Sequence, residues 1–484
     1  MAASYVKDVT VLCSYSQLLK RNIHRQLCIK LKYSTVAELT VENNQTTIDE
    51  NVKSESFKHR SHPGVLKCKR VVLPVRLQES ISVLLEKYPV HQLHGQTQFL
   101  VNYLASRKRP IEDDELRKQA IKLENEISTN RSGDIPERPK ELKKRKSLIM
   151  NKLRRSVYHW QPIIYNEMVA VAYLLGRFAP NYAALYRVFN EIKRREPEFR
   201  PEAILDFGSG LGTSVWAAEA TWENQVKEYM CVDISKSMHA TADSLLRDGD
   251  ENKERFIKTV FQRHFTPLSP DRKYNMTMSA FSLLDLPTKS DRVNTIRMLW
   301  MKTDDFLLII ETGSREGFET VNEARDLILG IQRPSGKDKN VELEDGYVFA
   351  PCQHDVSCPR KSSTDVIIPC NCMQDYQPLK ELKLKLNTMK ERFSYVILRK
   401  GQRKNRVDDH WPRVIEPVLQ RSSHVICYLC CPNGQLERPT ITAAKHGRDL
   451  YRCARLSNHG DLLPISHLES SNPPSLTNEN NKSN

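Results

Sequence analysis

The sequence has no apolar run of the roughly 20 residues that a membrane-spanning helix needs, so we expect no membrane association. It also lacks the long apolar core of a secretory signal. Since disulfides are typical of secreted proteins, we do not expect the 12 cysteines to form them. With 39% hydrophobic and 27% charged residues, the 484-residue chain has the composition of a globular protein with more than one domain.

Acidic residues are nearly absent from the N-terminus. Residues 1–37 contain one acid, Asp8, against six lysines and arginines, and leucine and isoleucine recur there at roughly helical spacing. A basic amphipathic start is typical of a mitochondrial presequence, although an ordinary basic helix shows the same pattern. We therefore predict a presequence over residues 1–37 and a location in the mitochondrial matrix.

Positive charge exceeds negative charge over the whole chain, with a formal net charge of +15 and a pI of about 9.2. Such an excess favours a polyanionic partner, because lysine and arginine side chains on phosphates release counterions. The run Lys140–Lys146, continued by Lys152, Arg154 and Arg155, is either a phosphate-contacting helix or a solvated helix face. The charge therefore predicts binding to nucleic acid.

Hydrophobic periodicity and composition divide the chain into segments. Helical patterns come first, with two helices over 164–195 that we expect to break near Pro180, and alternating strands and helices follow. The predicted segments are a presequence (1–37), a flexible linker (38–70), an N-terminal helical region (71–195), a Rossmann-like core (196–345), a cysteine-rich insertion (346–392), the last core strands (393–434), a basic C-terminal segment (435–465) and a disordered tail (466–484).

A glycine-rich turn marks the start of the core. The buried strand Ala203–Phe207 runs into Gly208, Ser209, Gly210 and Gly212 and then into a helix, which is the β-α unit of nucleotide-binding folds. A dinucleotide fingerprint needs a third glycine where Thr213 stands. The pattern Asp-x-Gly-x-Gly-x-Gly, which begins at Asp206, is instead similar to the first motif of S-adenosylmethionine methyltransferases. We expect the Asp206 carboxylate to meet the positively charged methionine moiety.

A second acid stands where the cofactor ribose should bind. Asp233 ends the next predicted strand, Glu228–Val232, at the spacing from Gly212 that a helix and a return strand require. The sequence therefore predicts an α/β fold of the seven-stranded, Rossmann-like methyltransferase type with a pocket for S-adenosylmethionine. The later core strands are predicted at Tyr274–Ala280, Asp305–Glu311, Phe393–Leu398 and Val425–Leu429, as the fourth to the seventh.

The sequence lacks the residues that would carry methyl transfer. After the fourth strand it reads Ser279–Pro287, which contains Phe281 but no Pro-Pro, the feature that base amino-group methyltransferases use around a flipped base. Methylation of pyrimidine carbon 5 needs a cysteine nucleophile near the fourth or fifth strand, and none is there. We therefore assign no catalytic residue.

Eight of the cysteines fall between Cys352 and Cys453, which favours a metal centre over free thiols. Only Cys427 and Cys430 have the Cys-x-x-Cys spacing of structural zinc sites. The other spacings are irregular, and several cysteines stand beside prolines, as in some iron–sulfur ligand sets. An iron–sulfur cluster and zinc both remain open on this pattern.

Three stretches carry a resemblance to a known family: Ile204–Trp216, Tyr347–Cys352 and His446–Arg455. They resemble the mitochondrial small-ribosomal-subunit Rsm22-type family over most of residues 75–465. The resemblance implies an assembly factor that binds the rRNA and ribosomal proteins of the mitochondrial small subunit, as a monomer, with a cofactor pocket but no methyltransferase activity. An active rRNA methyltransferase is the alternative.

The same resemblance implies an Fe4S4 cluster, with zinc as the alternative. Its ligands, carried over by position, are Cys352, Cys358, Cys370 and Cys430, the last of them within the 393–434 segment. Cys427 and Cys431 flank the fourth ligand and Cys372 offers another thiol, so these three stay as alternatives.

Overall fold

The computed structural model describes residues 47–48, 58–128, 139–156, 161–267, 269, 271–330, 344–362, 368–404 and 406–466. All of them lie in one compact unit, Thr46–Leu468. The predicted presequence (1–37) and nearly all of the predicted tail (466–484) lie outside these residues. No helix in the described part of the chain is long and apolar enough to cross a membrane.

Helices dominate the first half of the chain and strands the second. The helices are α1 (Val75–Glu86), α2 (Val90–Ser106), α3 (Asp113–Ser128), α4 (Pro139–Ser156), α5 (Glu167–Arg195), α6 (Thr213–Trp222), α7 (Lys236–Leu246), α8 (Lys289–Lys302), α9 (Arg315–Ile328), α10 (Pro359–Ser362), α11 (Ala443–His446) and α12 (Arg448–Leu456). The strands are β1 (Thr47–Ile48), β2 (Ala203–Phe207), β3 (Glu228–Val232), β4 (Val260–Arg263), β5 (Tyr274–Ala280), β6 (Thr303–Thr312), β7 (Gly346–Ala350), β8 (Cys372–Tyr376), β9 (Met389–Lys400), β10 (Arg413–Val414), β11 (Leu419–Gln420), β12 (His424–Ile426), β13 (Leu429–Cys430), β14 (Leu436–Glu437), β15 (Thr440–Thr442) and β16 (Ile465–Ser466).

The central sheet has the strand order β4-β3-β2-β5-β6-β9-β7. Strands β2 to β6 pair in parallel, and β9 runs antiparallel between β6 and β7. Strand β8 pairs with the first half of β9. This sheet confirms the Rossmann-like α/β core, and the fourth and fifth predicted strands are β5 and β6. Phe393–Leu398 is part of a core strand, as predicted, but not of the sixth one, and the prediction of a core strand at Val425–Leu429 is wrong.

The sixth core strand in chain order is β7, which falls within the predicted cysteine-rich insertion. The predicted sixth strand, Phe393–Leu398, lies in β9, which follows β8 in this eight-stranded sheet and runs antiparallel between β6 and β7. Val425–Leu429 lies outside the central sheet, because β12 and β13 belong to two small antiparallel sheets, β11-β12-β15 and β10-β13-β14. The error arose because β7 and its partner β9 are separated by a long stretch of chain that contains the clustered cysteines, so the order of the strands along the sequence does not show their order in the sheet.

The N-terminal helical region is present as α1 to α5, but the expected break at Pro180 is absent. Helix α5 is 29 residues long and continues through Pro180 without a break. The Asn166 side chain caps its N-terminus by accepting a hydrogen bond from the Val169 N–H. A proline inside a helix costs one backbone hydrogen bond and introduces a steric conflict. Burial of most of α5, including Phe178 and Val188, in the main hydrophobic core offsets that cost.

Part of the segment predicted as a flexible linker is packed against the C-terminal region. Leu66 is fully buried in a cluster with Trp411 and Leu462. The Leu66 N–H donates to the Asp461 carboxylate at 2.8 Å, and the Gly64 carbonyl accepts from Leu462 N–H at 2.8 Å. The linker prediction is therefore wrong for residues 58–70, where a short apolar stretch finds a partner far along the chain.

Candidate functional site

The glycine turn after β2 is held against the neighbouring strand. The N–H groups of Gly208 and Ser209 both donate to the Val232 carbonyl, at 2.8 and 3.0 Å. Gly208, Gly210 and Gly212 have φ values of 74°, 50° and 69°, a conformation that L side chains rarely adopt. A Cβ on Gly208 would also lie 2.3 Å from the Ser282 Cβ. The turn therefore requires glycine for its conformation and for its close contact.

Asp233 stands at the carboxyl end of β3 and organises the same turn. One of its carboxylate oxygens accepts from the Gly210 N–H at 2.9 Å, and the other accepts from the Ser235 N–H at 2.8 Å. The residue also lines the adjoining cavity. The acid predicted for the ribose thus lies against the glycine loop, where parallel strands end.

Asp206 lies behind the turn and is 4% exposed. The Ser214 hydroxyl donates to one carboxylate oxygen, whereas the other is buried without a hydrogen-bond partner among the described residues. Burial raises the pKa of this carboxyl to about 7, and nearby Asp233 adds to the effect. A cation beside Asp206 would supply the missing partner and lower that pKa.

A cavity of about 570 Å³ adjoins the turn, which is a volume typical of small-molecule sites. Its wall includes Gly208, Gly210 and Asp233. Ile234 and Phe265 also line it and are among the most exposed large apolar side chains, at 84% and 81%. No sequence pattern indicated either of these two residues. The one feature that could have pointed to Ile234 is that it directly follows Asp233, the acid predicted to bind the ribose.

The N-terminal helical region closes one side of this cavity. Tyr165 and Tyr173 line it and form an edge-to-face pair with ring centroids 5.8 Å apart. The Ser235 hydroxyl donates to the Tyr165 carbonyl at 2.9 Å, which ties the segment before α5 to the loop that follows β3. The cavity is therefore built by both the N-terminal helical region and the Rossmann-like core.

Polar side chains of the segment after β5 are already bound to other parts of the protein. The Ser282 hydroxyl donates to the Phe207 carbonyl at 2.9 Å. Asp285 lines the cavity and pairs at 2.5 Å with Arg107, whose side chain is 2% exposed. Burial raises the pKa of Asp285 to about 6 although Arg107 opposes the shift. Arg107 reaches the pocket from the end of α2, and no sequence pattern indicated it.

The four cysteines implied by the resemblance converge in one buried region. A hydrogen bond between the two side chains lowers the pKa of Cys352 and raises that of Cys430. Burial raises the pKa of both Cys358 and Cys370, and the negative charge of the nearby Cys352 raises each of them further. Within the described ranges no three Cys, His, Asp or Glu side chains are arranged to hold a metal ion as they stand.

Three buried arginines surround this cysteine region. Arg325 acts electrostatically on Cys352 and Cys358, and Arg360 on Cys370. The Arg413 guanidinium donates to the carbonyl of Pro351, the residue before Cys352, at 2.7 Å. Cationic side chains stabilise thiolates, so the surroundings suit an anionic centre.

Arg413 also joins this region to the core through Glu191, which is fully buried. The Glu191 carboxylate accepts from Arg413 at 2.7 Å and from the Tyr395 hydroxyl at 2.8 Å, and it lies 3.4 Å from Arg187 and 3.8 Å from Arg195. Burial alone would raise the pKa of Glu191, but the three guanidiniums outweigh it and lower the pKa to about 2.

The remaining C-terminal cysteines have other surroundings. Cys427, Cys431 and Cys453 are fully buried in the apolar core of the two small sheets and α12. Cys372, on β8, lies in the electrostatic environment of Arg187 and Cys68. Among the alternatives for the fourth position, Cys430 is the one that hydrogen-bonds to Cys352.

These features define a Rossmann-like α/β protein with a cofactor-sized pocket at the glycine turn and a separate cysteine-rich region. The model of the mitochondrial small ribosomal subunit Rsm22 family matches residues 167–464, and the chain belongs to this family. It is 39% identical over 426 residues to the human mitochondrial ribosome assembly protein METTL17, covering 88% of this chain and 90% of that protein. It is 20% identical over 422 residues to the Saccharomyces cerevisiae mitochondrial ribosome assembly protein RSM22, covering 61% of this chain and 67% of that relative.

Solved structures similar to the chain include the Synechocystis magnesium protoporphyrin IX methyltransferase with bound S-adenosylmethionine. That match has a TM-score of 0.27 and 12% identity, and it covers 52% of this chain and 91% of that one. The score is low, and the fold assignment rests on the strand order of the central sheet.

Proposed function

We propose that this protein is an assembly factor of the mitochondrial small ribosomal subunit that acts in the matrix, binds rRNA, S-adenosylmethionine and an iron–sulfur cluster, and transfers no methyl group. Its membership of the Rsm22 family supports the ribosomal role, as does its similarity to the human and yeast mitochondrial ribosome assembly proteins. The remaining parts of the proposal are argued from the two buried regions and the charged surface.

The pocket residues fit S-adenosylmethionine. Asp233 would bind the ribose hydroxyls, and the exposed apolar faces of Ile234 and Phe265 beside it suit a flat purine ring. Asp206 is not in the cavity wall but directly precedes the lining residues Phe207 and Gly208, so its unpartnered oxygen would act on the positive charge of the methionine moiety from behind the turn. When bound, this cofactor carries an activated methyl group; what the chain itself supplies is binding and orientation.

The absence of catalysis rests on the segment after β5. Among the described residues, two acids line the cavity: Asp233 is held by the glycine turn and proposed for the ribose, and Asp285, which could orient a target amine, is already paired with the buried Arg107 guanidinium. Ser282 is turned toward the Phe207 carbonyl and packs on Gly208. A base entering the pocket would have to displace an ion pair, and removing one partner of a buried pair is costly.

Calorimetry and a transfer assay test this pair of claims. The protein should bind S-adenosylmethionine and should not label small-subunit rRNA with a radioactive methyl group. Gly210→Asp, which places a carboxylate against the ligand, should abolish binding. Gly401→Asp is a matched control, because Gly401 also has a positive φ and so carries the same kind of backbone strain, but a Cβ there meets open space. Methylated rRNA would instead favour the alternative, an active rRNA methyltransferase.

The proposed cluster ligands are Cys352, Cys358, Cys370 and Cys430. The convergence of these thiols and the three arginines around them supports an anionic metal–thiolate centre. Four thiolates suit an Fe4S4 cluster, and zinc is the alternative. The side chains would have to close around the metal, as expected where metal binding and local folding are coupled.

Metal analysis after anaerobic purification tests the centre. About four irons per chain are expected for an Fe4S4 cluster. Cys352→Ser should remove them, whereas Cys427→Ala should keep them, since Cys427 belongs to the apolar core of the small sheets. Stoichiometric zinc without iron would contradict the cluster.

Two basic surfaces support the proposed contact with rRNA. On α4, Lys143, Lys144 and Lys146 are exposed, while Ile149 and Leu153 are buried beneath them. On α12, Arg448 and Arg452 are exposed beside the half-buried Tyr451. Exposed cations next to an aromatic ring are suited to phosphates and stacked bases.

A further inference from the structure

One histidine, which no sequence pattern singled out, lies inside the cysteine region. The Nε2 atom of His354 is 3.4 Å from the Cys430 Sγ atom, and the residue is 4% exposed. His354 follows Cys352 by two positions, whereas Cys430 comes from β13, 76 residues further along the chain. The two side chains therefore approach the same point from separate elements.

The other ring nitrogen of His354 fixes the direction of Nε2. The Nδ1 atom lies 3.2 Å from the Val356 carbonyl oxygen. A carbonyl oxygen only accepts hydrogen bonds, so this contact assigns the hydrogen to Nδ1 and leaves the lone pair of Nε2 directed at Cys430. Histidines that bind metals in proteins are oriented in this way, with the distal N–H donated to a carbonyl or carboxylate.

The loop that carries His354 is clamped from three sides. The Arg325 guanidinium, on α9, donates to the His354 carbonyl at 3.2 Å and to the Val356 carbonyl at 2.5 Å. Between them, the Asp355 carboxylate accepts from the Val348 N–H at 2.7 Å and from Arg403 at 2.9 Å. Because the loop is already fixed, placing Nε2 on a metal costs little conformational entropy.

We propose that His354 is a fifth donor of the cysteine centre, able to take the metal site that Cys430 occupies. The inference rests on the proposed metal centre and adds a ligand to it. Cys352 and His354 belong to one clamped loop, and Cys430 belongs to the small sheet β10-β13-β14. With His354 as the substitute, a metal that has lost Cys430 would keep a ligand from the loop that also carries Cys352.

Four variants test the proposal: Cys430→Ala, Cys358→Ala, His354→Ala and the double variant Cys430→Ala/His354→Ala. Iron, sulfide and zinc are measured in anaerobically purified full-length protein, with circular dichroism to confirm folding. We expect Cys430→Ala to keep its metal, and Cys358→Ala and the double variant to hold about tenfold less. In Cys430→Ala the reduced cluster should show nitrogen hyperfine coupling, which the double variant lacks.

Two results would overturn the inference while the metal centre itself stands. Cys430→Ala could lose its metal as completely as Cys358→Ala, or it could hold the same amount as the double variant. If the unmodified protein holds zinc, the cluster proposal fails, and the same comparison of zinc contents decides the role of His354. If it holds no metal, both proposals fail.

A second measurement covers the case in which Cys430→Ala does not fold. A chelator should remove metal from His354→Ala about tenfold faster than from the unmodified protein, because the substitute donor is gone. Equal rates of removal would show that His354 only packs against Cys430, and would overturn the inference.

Discussion

We expect the buried carboxyl of Asp206 to make the proposed binding of S-adenosylmethionine depend on pH. Its pKa is about 7 because burial removes water from a carboxylate with one unpartnered oxygen. The groups that act on it are the Ser214 hydroxyl and the Asp233 carboxylate, with Cys231 nearby. A cationic ligand favours the ionised form, so binding should require Asp206 to lose its proton.

The expected size follows from the difference between that pKa and the working pH. At about pH 6, roughly one molecule in ten carries Asp206 ionised, whereas at about pH 8 most molecules do. The dissociation constant for S-adenosylmethionine should therefore rise about tenfold from pH 8 to pH 6, which is about 1.4 kcal/mol. Asp285, with a pKa of about 6, contributes mainly at the acidic end of this range.

Isothermal titration calorimetry at about pH 6, 7 and 8 measures this dependence. Asp206→Asn should bind weakly at every pH. 5′-Methylthioadenosine, which lacks the amino-acid part and the sulfonium charge, should bind the unmodified protein equally at the three values. A pH dependence that persists in Asp206→Asn, or a change of less than about threefold in the unmodified protein, would refute the reasoning.

The Asp206 carboxyl also makes the free energy of unfolding depend on pH, and the direction of that dependence can be measured separately from ligand binding. A pKa raised from 3.8 to about 7 stabilises the fold below about pH 4, and this contribution is lost as the pH rises through 7. The cost of ionising the buried group is on the order of 4 kcal/mol as an upper value. Without ligand, Asp206→Asn should therefore unfold at a higher temperature than the unmodified protein at about pH 8, and a lower Tm would contradict this.

Gly208→Ala should lower the free energy of unfolding by on the order of 2 kcal/mol, because positive φ and the contact with Ser282 both oppose a Cβ; an unchanged denaturation midpoint would contradict this. Glu191→Gln should lower the free energy of unfolding by about 3–5 kcal/mol, because it leaves buried arginines without their carboxylate. In the unmodified protein, the stability that this carboxylate contributes should be lost as the pH falls from about 4 toward 2, so acid should unfold the protein in that range. Replacing the exposed lysines within Lys143–Lys146 by glutamine should reduce the salt slope of rRNA binding by about 2–3; an unchanged slope would indicate a solvated face.

Short-range patterns in the sequence determined the core of the cofactor pocket. The glycine turn, Asp206 and Asp233 lie within one β-α-β unit, where strand, turn and helix follow one another closely. The spacing of residues within such a unit is set by local geometry, so sequence positions translate directly into places in the fold. Strands β5 and β6 were predictable from similarly local signals, since β6 contains the continuous apolar run Phe306–Ile310 and β5 alternates apolar with small polar residues.

Only the tertiary structure shows the contacts between residues that lie far apart in the sequence. The antiparallel insertion of β9 beside β7, the approach of Arg107 to Asp285, and the contact between His354 and Cys430 each join segments far apart in the chain. None of them leaves a periodic or spaced signal, because the sequence fixes only which residues are neighbours along the chain. Their positions follow from how the sheet, the helices and the C-terminal strands bury their apolar faces against one another.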